Sequence, residues 1–166
     1  MDNNEIFDRI QDSDYVLIGI GENIVLSDAD KDILFETLKD KKYYILSLSG
    51  DENIRSSKFD NSKMVLPFCG DDESKWNEYL DWLKNTLNRK LTILELGVGF
   101  KYPEVVRFPF EKIVMYNKKA YFYRINVMFY QLPEELSERG EGLKMDVSTF
   151  VNELSNATHY ATIQSE

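Results

Sequence analysis

LTILELGVGFKYPEVVRFPF, residues 91–110, opens as an apolar run, breaks at Gly97-Val98-Gly99 and resumes with two prolines among apolar residues. The run Leu91 to Leu96 has no polar–apolar alternation, and only Glu95 interrupts it with a charge. A strand with one wet face alternates, whereas a strand covered on both faces reads as a solid apolar block. The stretch therefore predicts a buried strand of a parallel sheet. The paired glycines after it have two readings: a tight strand-to-helix turn, or backbone cleared so that a flat or phosphorylated ligand can lie against it.

The same pattern recurs on either side. Tyr15-Val-Leu-Ile-Gly-Ile20 is a second solid apolar run, ending in Gly19-Ile20-Gly21, and Tyr43 to Leu48 and Tyr121 to Val127 add two more. Helical spacing falls between them. Residues 4–11 form a short opening helix, and Asp28 to Lys39 carries Ile33, Leu34 and Leu38 on one face, with acid at its start and lysine at its end. Asp71-Asp72-Glu73 reads as an acidic first turn rather than a metal cluster, ahead of the stripe Trp76, Tyr79, Leu80, Leu83 and Leu87. Residues 104–114 predict a helix that Pro109 must end or kink. Met64-Val-Leu-Pro67 and Met145-Asp146-Val147 predict short strands, and Ser148 to Leu154 a closing helix. Residues 15–20, 43–48, 91–96 and 121–126 are expected as neighbouring central strands. Strands alternating with helices give one α/β domain over residues 1–166, three-layered around a mainly parallel sheet, with a polar tail from about residue 155.

Composition narrows the function. The chain has 166 residues, a net charge of −9 and 13% aromatic residues, enough for one aromatic-rich core. That charge repels nucleic acid and anionic membrane surfaces, and no basic stripe overrides it. No apolar run reaches membrane-spanning length, and Met1-Asp2-Asn3-Asn4-Glu5 is unlike a targeting peptide, so a cytoplasmic location is expected. Cys69, the lone cysteine, makes neither a disulfide nor a cysteine zinc site, and without an adjacent base it reads as a small buried residue. His159 falls in the polar tail and reads as solvated.

Longer stretches carry a resemblance. ILELGVGFKYPEVVRFPFEKI, YFYRIN, the Leu132-Pro-Glu-Glu135 stretch and GLKMDVSTFVNEL resemble the C-terminal half of sirtuin-related bacterial proteins. SDYVLIGIG is similar to the strand and glycine turn that open the sirtuin nucleotide fold, and YYILSLSGDENI falls where that family has a Thr-Gln-Asn-x-Asp or Thr-Thr-Asn-x-Asp segment. The resemblance runs from about residue 13 to residue 154. It implies a Rossmann-like sheet that binds NAD, and reactions that break the nicotinamide–ribose bond. It would set Gly19 and Gly21 at the pyrophosphate, Gly97, Val98 and Gly99 at a second turn near the ribose and phosphates, Asn126 beside the adenine ribose, and Asp146 and Val147 near the adenine. Of the catalytic segment only Asp51 matches.

Departures from the family are equally specific. There is no room for its zinc module, so no zinc is expected, and Pro67-Phe68-Cys69-Gly70-Asp71 stands where the catalytic histidine or its glutamine variant would fall. Glu22-Asn23 follow Gly21 where small residues make room for phosphate. The expectation is a degenerate, non-catalytic sirtuin-like domain that binds NAD or ADP-ribose, with no catalytic residue assigned. Two alternatives stand beside it. One is an active NAD-consuming enzyme: a protein deacylase, NAD hydrolase or ADP-ribosyltransferase. The other is a module that binds a protein partner, or a second copy of itself, and no nucleotide.

Overall fold

A computed structural model describes residues 3–165, apart from the side chains of residues 3, 159–161 and 165. The elements run α1 (Asn3–Asp12), β1 (Tyr15–Ile20), α2 (Asp28–Leu38), β2 (Lys42–Ser47), β3 (Met64–Val65), α3 (Glu73–Asn85), β4 (Leu91–Leu96), α4 (Arg107–Tyr116), β5 (Ala120–Ile125), β6 (Gly140–Leu143) and α5 (Val147–Ser165). The strands form one six-stranded sheet in the order β3-β2-β1-β4-β5-β6. Every pairing is parallel. Chain order reverses between β1 and β4, as in doubly wound Rossmann-like folds.

Each central strand feeds two cores. Val16, Ile18 and Ile20 of β1, Leu94 and Leu96 of β4, and Tyr123 and Ile125 of β5 face α1, α2 and α5. Leu17, Leu91, Ile93, Ala120 and Phe122 face α3 and α4, where Tyr79, Phe110 and Val114 cover them. Two-sided burial is the physical reason for the solid apolar runs, and all four predicted central strands are neighbours in the sheet.

Several boundaries differ from the sequence reading. Pro109 sits in the first turn of α4, where its missing N–H would have had no helical acceptor, so the helix continues to Tyr116. The strand expected at Met145 to Val147 is absent: the Met145 N–H turns back onto Leu143 O, and the last strand is the glycine-containing β6. Asp146 instead caps α5, its Oδ1 accepting the Thr149 N–H at 2.8 Å. That helix does not stop at Leu154 but runs to Ser165, with Leu154 and Ala157 buried. The expectation of a solvated His159 side chain lies outside the described residues. Of the acidic trio, Asp72 is the N-cap of α3 and Glu73 its first residue, while Asp71 is drawn away to Arg55 at 2.8 Å and the Leu66 N–H at 2.7 Å.

Candidate functional site at the strand-order reversal

In an open parallel sheet the loops leaving adjacent strands part where chain order reverses, and a cleft forms beyond the strand ends. Here that place is the end of β1 and β4, and both glycine turns lie there. They are packed on each other. Gly21 donates its N–H to Leu96 O at 2.9 Å, and Gly97 donates to Ile125 O at 2.8 Å. A Cβ on Gly21 would collide with the Gly97 carbonyl, with the carbonyl carbon only 2.6 Å away. Gly97 has a φ of 65°, in the left-handed region that favours glycine.

The remaining residues singled out in the sequence divide. Gly19 lies inside β1, and the space of its missing side chain is filled by the Phe110 ring at 2.6 Å, so helix packing accounts for it. Val98 is fully buried, and its carbonyl accepts from Arg107 Nη1 at 3.0 Å and Asn126 Nδ2 at 3.1 Å. The Asn126 Oδ1 accepts from the N–H groups of Met128 at 2.9 Å and Phe129 at 3.0 Å. Asn126 thereby ties the loop after β5 to the loop after β4. Val147 packs beside Gly97, while Asp146 serves the end of α5. The Thr149 N–H holds the Asp146 carboxyl below its ordinary value. Asp51 lies beyond β2, exposed, with Oδ1 accepting the Asn53 N–H at 2.7 Å, and borders the small cavity beside Ile24. The Cys69 thiol lies 3.4 Å from Ser49 O, and burial pushes its pKa up, the wrong direction for a nucleophile.

What fills the cleft is the chain itself. The loop from Gly21 to Ser27 folds back so that Ile24 occupies the space above Gly97, its Cγ1 2.6 Å from where a Cβ would stand. Glu22 does the same at Gly99, with Oε1 2.8 Å from that position. The cavity beside Ile24, reaching Ser49 and Asp51, is about 10 Å³. Small-molecule sites occupy roughly 300–1,000 Å³. The two glycine turns meet at the strand ends, Ile24 and Glu22 occupy the space beside Gly97 and Gly99, and the adjoining cavity falls far below that range.

Beneath the turns lies a feature sequence reasoning passed over. Glu95 and Arg124 are register partners on β4 and β5 and project toward α4, with side chains 0% and 1% exposed. Arg124 grips Glu95 with two bonds, Nε to Oε1 at 2.8 Å and Nη2 to Oε2 at 3.1 Å, and reaches Glu111 at 3.4 Å. Arg107 approaches Glu95 at 3.7 Å and lies over the Phe100 ring. Burial pushes the Glu95 carboxyl upward against the pull of both guanidiniums, and burial with the like charge of Arg124 lowers Arg107. The available signal was a charge at the matching position of two apolar strands. Among the described residues no group of His, Cys, Asp or Glu has the arrangement to hold a metal ion, and no helix is long and apolar enough to cross a membrane.

The fold and the position of the cleft define a Rossmann-like three-layer α/β domain whose candidate site is the strand-order reversal. No family model matches the chain. A protein ADP-ribosyltransferase of Staphylococcus aureus (strain Mu50) is 30% identical to it over 73 residues, which is 44% of this chain. The chain spans less than a quarter of that relative, the match covering 23% of its length.

Proposed function

We propose that the domain handles NAD or its ADP-ribose portion at the ends of β1 and β4, as part of NAD-consuming chemistry of the ADP-ribosyl-transfer kind. The observation that carries this reading is the meeting of Gly21, Gly97 and Gly99 at the strand-order reversal, where an open parallel sheet takes its ligand. The similarity to a protein ADP-ribosyltransferase favours an NAD-consuming reading over a purely non-catalytic one, and the sirtuin resemblance points to the same nucleotide. A zinc-free, cytoplasmic protein is part of the proposal.

No step of the reaction is assigned to a residue. Asn126 and Val98 have their polar groups committed to the loops, so their part is to hold the second turn in shape. Calorimetry with ADP-ribose and NAD, beside nicotinamide release from NAD, tests the reading. Saturable binding with nicotinamide release supports it; binding without release returns the domain to the non-catalytic reading; neither removes it.

A protein-interaction role is supported by a different observation. A groove of about 350 Å³ between α3 and α4 is lined by Leu80, Leu83, Leu87, Ile113 and Tyr116. Leu80, Leu87 and Tyr116 are exposed, Tyr116 most of all, and Lys84 and Lys112 share the lining. Sedimentation of the protein across a concentration series tests whether this face pairs two copies.

A further inference from the structure

The Glu22 carboxylate lies against Gly99, within the space that the missing side chain opens. Its Oε2 is buried and has no hydrogen-bond partner among the described residues, and the same is true of Arg107 Nε. Burial and the like charge of Arg124 lower Arg107, and Glu22 is one of the acids that oppose this through space, without a direct ion pair between them among the described residues. Below them Glu95 and Glu111 already balance Arg107 and Arg124, so the cluster has no spare positive charge. A second anion placed beside Gly99 would meet the Glu22 carboxylate with nothing left to neutralise both. Two like charges a few ångströms apart in a partly desolvated cleft repel strongly. Nor does the side chain sit there alone, because Ile24 of the same loop fills the neighbouring space above Gly97.

We infer that Glu22 is a specificity gate: its carboxylate occupies the anion position of the cleft, and a phosphate-bearing ligand binds only by displacing it together with Ile24. The inference rests on the proposed nucleotide site and adds to it the residue that sets its affinity. The gate makes a pyrophosphate ligand compete with the protein's own side chain, so the apparent affinity is reduced by the fraction of molecules in which the loop is closed. Ligands lacking phosphate do not experience the charge repulsion.

The test compares wild type with Glu22→Gln and Glu22→Ala, and with Glu135→Gln as the same charge change on an exposed residue in the turn before β6. Melting without ligand establishes that each variant is folded, and two substitutions at position 22 guard against one that is not. Calorimetry then measures ADP-ribose and NAD. Both Glu22 variants are expected to bind about tenfold tighter or better, with Glu135→Gln unchanged from wild type. Unchanged binding by the Glu22 variants overturns the gate and leaves the nucleotide site standing. Weaker binding also overturns it, because the carboxylate would then be a contact for the ligand. No binding by any folded variant at millimolar nucleotide overturns the gate and the site together.

Discussion

The two glycine turns look alike in the sequence, Gly19-Ile20-Gly21 and Gly97-Val98-Gly99, and the structure uses them differently. In the first, both glycines are pressed against parts of the protein that do not yield: Gly19 against the Phe110 ring, Gly21 against the Gly97 carbonyl. In the second, Gly99 faces only the end of a long side chain, Glu22. A glycine held by backbone is there for packing. One facing the end of a flexible side chain has a neighbour that can move. The spacing of glycines along the chain does not distinguish these cases, but the neighbour of each missing Cβ does.

Gly21→Ala breaks the comparison most directly. The methyl group has no space beside the Gly97 carbonyl, and the ends of β1 and β4 must separate, so a loss of about 4 kcal/mol or more is expected in urea unfolding. A loss under about 1 kcal/mol would show that the first turn is as yielding as the second. Next comes Asn126→Ala, which strips a donor from Val98 O and the acceptor of two backbone N–H groups. About 2–3 kcal/mol of stability should disappear. Hydrogen exchange should quicken at Met128 and Phe129 before the rest of the sheet; uniform quickening would deny the local bracing.

Asp146→Ala removes the cap of α5 and should cost about 1 kcal/mol. Because the folded carboxyl is held below its ordinary value, its contribution is present above that value and fades as pH falls through the depressed folded one. Stability of wild type and Asp146→Asn, followed from pH 6 downward, should therefore converge at the acid end. Parallel curves would place the acid sensitivity elsewhere. Gly99→Ala is the smallest effect, under about 0.5 kcal/mol on the free protein, since the Glu22 side chain can swing aside. A large loss there would make the two turns equivalent after all.

The fold was legible because burial on both faces writes itself into β1, β2, β4 and β5 as near-continuous apolar runs. It was illegible where that condition lapses. The edge strand β6, Gly140-Glu-Gly-Leu143, pairs with β5 and contributes a single apolar side chain, Leu143, to the core, so no hydrophobic pattern announces it. The length of α5 depends on packing against α1 and α2, and Pro109 is harmless only because the helix begins at Arg107. At the site, the sequence located the turns and noted Glu22 as an ill-fitting neighbour of phosphate. The path of the loop, which brings Glu22 and Ile24 back over the second turn, arises from tertiary contacts and has no local signature.

The register partnership of Glu95 and Arg124 reaches beyond electrostatics. Parallel strands made of solid apolar runs carry little information about how they align, since sliding β5 by one residue along β4 would still put apolar against apolar almost everywhere. The one misalignment such a sheet could not absorb is a buried carboxylate set beside Tyr123 or Ile125 and a guanidinium with no acid to meet it. In the native register the pair leaves neither of its two buried charges without a partner. It favours a single seating of β5 on β4, and β4 ends one residue further on, at the candidate cleft.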